Sequence, residues 1–256
     1  MIKTTVFLIF GYWALVGSAL AQDVTAVLLP VTASTPIPGA NGSLWTTEIV
    51  ARNTGSDRVF FLSPCGAASV CLPPYKQIAA HTTVSLDNDS PRGSIILMRS
   101  TEAAEMTFSL RVRDLSRQSE TWGTEVPVVT DTAAFTTTVH LLNIPTTTAF
   151  RSFLRIYDFI ESLDVVTRQF NVKVFSLSGN TLLKQFDVTT TPVPGQAVGE
   201  VDVSDLIPSP AGDPIRLEIA PAPVDPPRKF WAFVSVTNNV TQHVTLVTPQ
   251  PQGESH

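Results

Sequence analysis

Two cysteines, four histidines and one short acidic run are the residues of this chain with the most chemistry to offer. Cys65 and Cys71 bracket Cys-Gly-Ala-Ala-Ser-Val-Cys. Two thiols without a neighbouring imidazole cannot supply the four ligands of a structural zinc site, and a redox pair more usually reads Cys-x-x-Cys. In an exported chain such a pair predicts a disulfide, whose small loop contributes about 2–3 kcal/mol through loop closure. His81, His140 and His243 are scattered through strand-like segments, and His256 lies in the tail. None belongs to a His-Glu-x-x-His pattern, and neither a Gly-x-Ser-x-Gly turn nor a phosphate-cradling glycine loop occurs. Asp87-Asn88-Asp89-Ser90 offers oxygen atoms to a calcium ion but lacks a spaced bidentate glutamate, so it reads as a solvated turn. The expectation is a protein without catalytic residues, metal or cofactor.

The remaining candidates are aromatic, and the strands that carry them decide where they point. Strands with one wet face alternate apolar and polar residues, and turns collect Gly, Pro, Asn and Asp. Val24–Val31 reads as a first strand. Trp45–Asn53 alternates, with Trp45, Ile49 and Ala51 on one side and Thr46, Glu48 and Arg52 on the other. Asn53-Thr54-Gly55-Ser56 turns the chain into Arg58–Leu62, and further strands are predicted near 76–86, 94–99, 106–113 and 122–129. Strands at this spacing form the pattern of an immunoglobulin-like sandwich.

The pattern is then written a second time. Met106-Thr-Phe-Ser-Leu-Arg-Val-Arg113 recurs in altered form as Phe230-Trp-Ala-Phe-Val-Ser-Val-Thr237. Phe150–Ile156 answers Trp45–Ala51, Asn171–Phe175 answers Arg58–Leu62, and Ala197–Val203 answers the segment ending at Leu86. Ile215–Ile219 answers Ile95–Arg99, and 242–248 answers 122–129. Such self-similarity outranks local propensity. Phe150, Phe153, Leu154 and Tyr157 stand at helical spacing, yet the repeat makes 150–157 a strand and Ile160–Val166 a loop. The fold class is therefore all-β, with tandem sandwiches at 22–130 and 131–249, a short linker at Thr130-Asp131-Thr132 and a flexible tail at 250–256.

Parity along these strands separates the two copies. In 106–113 Met106, Phe108, Leu110 and Val112 form the core face, leaving Thr107, Ser109 and Arg111 outward. The same parity puts Trp231, Phe233 and Ser235 outward in 230–237, and Arg151, Phe153, Arg155 and Tyr157 outward in 150–157. The second copy thus has aromatic residues where the first is polar. Exposed aromatics on a sheet mean a partner. Trp231, Phe233, Phe153 and Tyr157 are the candidate binding residues, for another protein or a glycan, or for packing against the other sandwich or the loops 158–169 and 220–228.

Residues 1–21 read as a secretory signal: Lys3, an apolar stretch from Val6 to Val16, and Ser18-Ala19-Leu20-Ala21 before Gln22. The apolar run is too short for a bilayer, which needs about 20 residues. The expected location is outside the cytoplasmic membrane, in the periplasm, at the cell surface or beyond. A net charge of −5 without any basic cluster argues against nucleic acid. With 15% charged and 43% hydrophobic residues the chain can build packed cores rather than stay disordered.

Trp45-Thr-Thr-Glu-Ile-Val-Ala-Arg-Asn53, the ending Ser235-Val-Thr-Asn-Asn-Val-Thr241 and the tandem layout resemble a loose group of exported bacterial proteins built from paired immunoglobulin-like sandwiches. The resemblance implies fold and export, and no particular activity. Its bacterial setting makes the sequons at Asn41, Asn88 and Asn239 read as turns rather than glycosylation sites.

Overall fold

The computed structural model describes residues 24–64, 70–87, 89–90, 93–159, 167–193, 196–202, 213–223 and 228–251. Its first half runs through β1 (Val24–Leu29), β2 (Thr32–Ala33), β3 (Ile37–Pro38), β4 (Leu44–Asn53), β5 (Val59–Pro64) and β6 (Val70–Ile78). It continues through β7 (Thr83–Ser85), β8 (Asp89–Ser90), β9 (Ser94–Arg99), β10 (Met106–Asp114), β11 (Thr124–Glu125) and β12 (Val129–Thr130). The second half contains β13 (Val139–Ile144), β14 (Phe150–Asp158), β15 (Arg168–Ser176), β16 (Leu182–Val193) and β17 (Gln196–Asp202). It closes with β18 (Ile215–Pro221), β19 (Phe230–Asn238), β20 (Val244–Val247) and β21 (Gln250–Pro251).

In the first half one sheet has the order β12-β1-β9-β5-β6, and a second has β11-β10-β4-β3 with β7 added to β4. In the second half the order β21-β13-β18-β15-β16 repeats the first of these, and β20-β19-β14-β17 repeats the second. The two sheets of the second half are continuous because the long β16 pairs with β15 along most of its length and with β17 at its end. Most correspondences read from the sequence recur in this pairing, and two are shifted. Ser85 and Glu200 take matching places opposite Val50 and Arg155, so Leu86 answers Val201 rather than Val203. β9 turns Ile96 and Met98 to its core, whereas β18 turns Ile215, Leu217 and Ile219. Ile215 therefore answers Ile96 rather than Ile95. Both faces of β9 are apolar, so parity gave no register there.

Local chemistry explains why these elements form. Asn53 ends β4 by donating its amide to the Asp57 carbonyl at 2.7 Å and accepting the Gly55 N–H at 2.9 Å, the self-bonding turn that asparagine favours. Asp114 ends β10 in the same manner. Its carboxylate accepts from the Leu44 N–H at 2.9 Å, the Ser116 hydroxyl at 2.7 Å and the Arg117 guanidinium at 2.7 Å. The helical spacing in 150–157 yields to a ladder with a partner on each side: β14 pairs β19 from Phe150↔Asn238 to Asp158↔Phe230 and β17 from Phe153↔Asp202 to Tyr157↔Val198. Residues 160–166, expected as a loop, lie outside the described residues. So does Cys65; Cys71 stands opposite Ser63 in the β5–β6 ladder.

Each half closes its own core. Ile49, Ala51 and Leu110 pack against Val27, Phe61, Ile96 and Met98 in the first, where Phe61 and Phe108 meet with ring centroids 6.2 Å apart. Leu154, Ile156, Ala232 and Val234 pack against Val172, Val174 and Leu217 in the second, where Phe170 and Phe230 meet at 5.1 Å. A third cluster belongs to neither half. Ala26, Leu28, Leu62 and Leu97 on the outer side of β1, β5 and β9 meet Tyr157, Phe159, Trp231 and Phe233 on the outer side of β14 and β19. The linker is tied in as well, since Phe135 and Phe230 exchange both backbone hydrogen bonds at 2.9 and 2.8 Å.

Candidate cleft between the two halves

β14 and β19 position the candidate aromatics as parity requires: Leu154, Ile156, Phe230 and Ala232 enter the core, and Phe153, Tyr157, Trp231 and Phe233 take the opposite face. That face is not a free surface. Trp231 is 4% exposed, and Phe233 and Tyr157 are each 1% exposed. These three residues, read as contacts either for an external partner or for packing within the chain, are covered by the apolar outer side of the β1–β9–β5 sheet. The physical reason is that the outer residues of β1 and β9 are themselves apolar, so the two faces exclude water from one another. At about 1.5–3 kcal/mol per fully buried large side chain, the three make this contact a main source of cohesion between the halves.

The rings are ordered as well as buried. Tyr157 stacks on Phe233 with centroids 6.1 Å apart and planes 8° from parallel, and Trp231 lies 5.4 Å from Phe233. The Tyr157 hydroxyl donates to the Pro30 carbonyl, satisfying the polar end of a buried ring.

Phe153 has a different fate. It is half-buried and lines a cleft of about 380 Å3 between the halves. Val31, Ala33, Trp45 and Val126 form its first-half wall, and Phe153, Phe233 and Leu246 its second-half wall, with Arg151 and Arg155 beside them. The volume and apolar lining match those of small-ligand and side-chain pockets, about 300–1,000 Å3. One end is closed by hydrogen bonds between the halves: the Thr124 hydroxyl donates to the Val244 carbonyl at 2.7 Å, and the Asn41 amide to the Asn239 carbonyl at 3.0 Å.

The asparagine-rich turn after β19 shapes this wall. Asn238 accepts the Val240 and Thr241 N–H groups, each at 2.9 Å. Arg151 then donates to Asn239 Oδ1 at 2.9 Å and Gln242 Oε1 at 2.6 Å, which hold its guanidinium beside the cleft. Trp45, Arg151 and Gln242 were not among the candidates from sequence. Their one legible signal is the turn-forming run Asn238-Asn239; the rest is contact between residues far apart in the chain.

The histidines do not converge. His81 and His243 are exposed. His140 belongs to a charged row on the outer face of the second half, where the Arg216 guanidinium lies 3.3 Å from Nδ1 and Lys173 donates to Glu218 at 2.8 Å. Burial, with Arg216 beside it, holds His140 below its ordinary pKa despite Glu218. The hydrogen bond from Lys173 holds Glu218 below the usual carboxylate range against the opposing effect of burial. Asp89 and Ser90, read as part of a solvated turn, pair with Ala33 and Thr32. Among the described residues no three metal-binding side chains come together. The described lining of the cleft offers serine and threonine hydroxyls and the two guanidinium groups of Arg151 and Arg155.

No family model, curated protein or solved structure matches this chain. No helix among the described residues is long and apolar enough to cross a membrane.

Proposed function

We propose that this chain is an exported, non-enzymatic binding module of two tandem immunoglobulin-like sandwiches, which receives a protein partner in the cleft between them. Export rests on the leader-like residues 1–21. The immunoglobulin-like reading draws support from the order of pairing, since β1-β9-β5 and β4-β10-β11 behave as the B-E-D and C-F-G sheets of that fold and recur as β13-β18-β15 and β14-β19-β20.

The cleft itself carries the functional reading. It is apolar, sized for one or a few side chains, and composed of both halves, so it exists only when they are docked. A carbohydrate-binding role for the aromatics of the second half has less support, because Trp231, Phe233 and Tyr157 are occupied by the first half.

The test is a photo-crosslinking residue at Phe153 of the full chain, applied in native envelope and culture medium. A discrete protein adduct that disappears when Ser235→Trp fills the cleft is the expected result. No adduct, or one indifferent to the filling, would reject the proposal.

A further inference from the structure

Among the described residues Trp122 is the one aromatic side chain standing mostly in solvent, at 63% exposure. A single exposed apolar side chain needs no explanation in itself; this indole differs in being stacked on two cations. Its ring is held in place. The Arg113 guanidinium lies 4.6 Å and that of Arg111 5.5 Å from the ring centre. The two arginines are alternate residues of β10 and share its outer face, so the ring rests on them and presents its other side to solvent.

The backbone fixes this pose. Gly123 adopts φ +95°, and a Cβ there would stand 2.4 Å from the Val112 carbonyl oxygen, so only glycine lets the chain lie this close to β10. The Gly123 N–H also donates to the Thr121 hydroxyl at 3.1 Å. The backbone that follows Trp122 is thereby held close to β10, beside the two arginines.

The surroundings specify the ligand. The outer face of β10 is polar, with Thr107 and Ser109 offering hydroxyls along it. Glu48 lies 3.7 Å from Arg113. Among the described residues no carboxylate comes within ion-pair distance of Arg111, although Glu48 and Glu125 are its cross-strand neighbours. A protein anchor is best held in a closed pocket, which this face lacks. An acidic sugar chain suits this face: the flat C–H side of one pyranose covers the open indole, and the carboxylate and hydroxyls of an adjoining sugar reach Arg111, Thr107 and Ser109 beside the ring.

We propose that the Trp122–Arg111–Arg113 platform is a binding site for an acidic, uronic-acid-containing polysaccharide. It lies on the side of β10 opposite Val112, which lines the cleft, and does not depend on the protein-binding role proposed there.

Oligogalacturonate titrated into the full chain, followed by calorimetry and tryptophan fluorescence, tests this, with cello-oligosaccharide as the neutral comparison. The acidic oligomer should bind saturably and more tightly than the neutral one. Trp122→Ala should weaken it about tenfold or more with an unchanged melting temperature, and Arg111→Gln should erase the preference for the acidic oligomer. Absence of binding, binding unaffected by Trp122→Ala, equal affinity for the neutral oligomer, or a site that takes only a protein would each overturn the assignment.

Discussion

The hydroxyl of Tyr157 in the second half donates to the carbonyl of Pro30 in the first, beneath three aromatic rings that water does not reach. The bond links β14 to the segment just after β1 and orients the ring stacked on Phe233. Tyr157→Phe keeps the apolar contact and strands one buried carbonyl. A loss of about 1–3 kcal/mol is expected, the cost of leaving such a group unsatisfied, and equilibrium urea unfolding will measure it.

Trp231→Ala should be costlier. It removes a large side chain packed between two sheets, and the expected loss is about 3–5 kcal/mol. Thermal and chemical denaturation discriminate sharply: a change within about 0.5 kcal/mol is the value for an exposed residue and is incompatible with this packing.

Asp158 sits fully buried between two arginines, 3.1 Å from Arg168 and 2.9 Å from Arg228. Asp158→Asn leaves both guanidinium groups without their counter-charge. Breaking a buried pair from one side costs about 3–5 kcal/mol, so the urea midpoint of this variant should fall markedly. A near-neutral effect would mean that water reaches the site.

Acid should weaken the turn at the end of β10. Burial pushes the Asp114 carboxyl upward, but the hydrogen bonds from Leu44, Ser116 and Arg117 outweigh it and hold the pKa below the ordinary value of 3.8. A depressed folded pKa stabilises above the unfolded value, and the contribution is lost as pH falls through the folded one. Asp114→Asn should therefore be less stable than the natural chain at neutral pH, and the gap should narrow in acid below about pH 3.8. Denaturant midpoints of both proteins across that range provide the check, and a constant gap would contradict the assignment.

Strand identity was legible in the sequence wherever one face is wet. In β4 and β10 polar and apolar residues alternate, because only one side meets the core, and Asn53 and Asp114 close the ends with bonds to nearby backbone. The repeat settled β14, whose helical spacing would otherwise have misled. Parity also placed Trp231, Phe233, Phe153 and Tyr157 on the face away from the second core.

What covers that face was decided only by the tertiary structure. Parity is a local property of a strand, whereas burial depends on what docks against it. Ala26 to Leu29 and Ile95 to Met98 are apolar without alternation, the mark of a strand buried on both sides, and that pattern does not name its partner. The partner is the aromatic face of the second half, far away in the chain. The cleft beside Phe153 has the same origin: Trp45, Arg151 and Leu246 become neighbours only once the two halves have packed, and no spacing within either half encodes the space left between them.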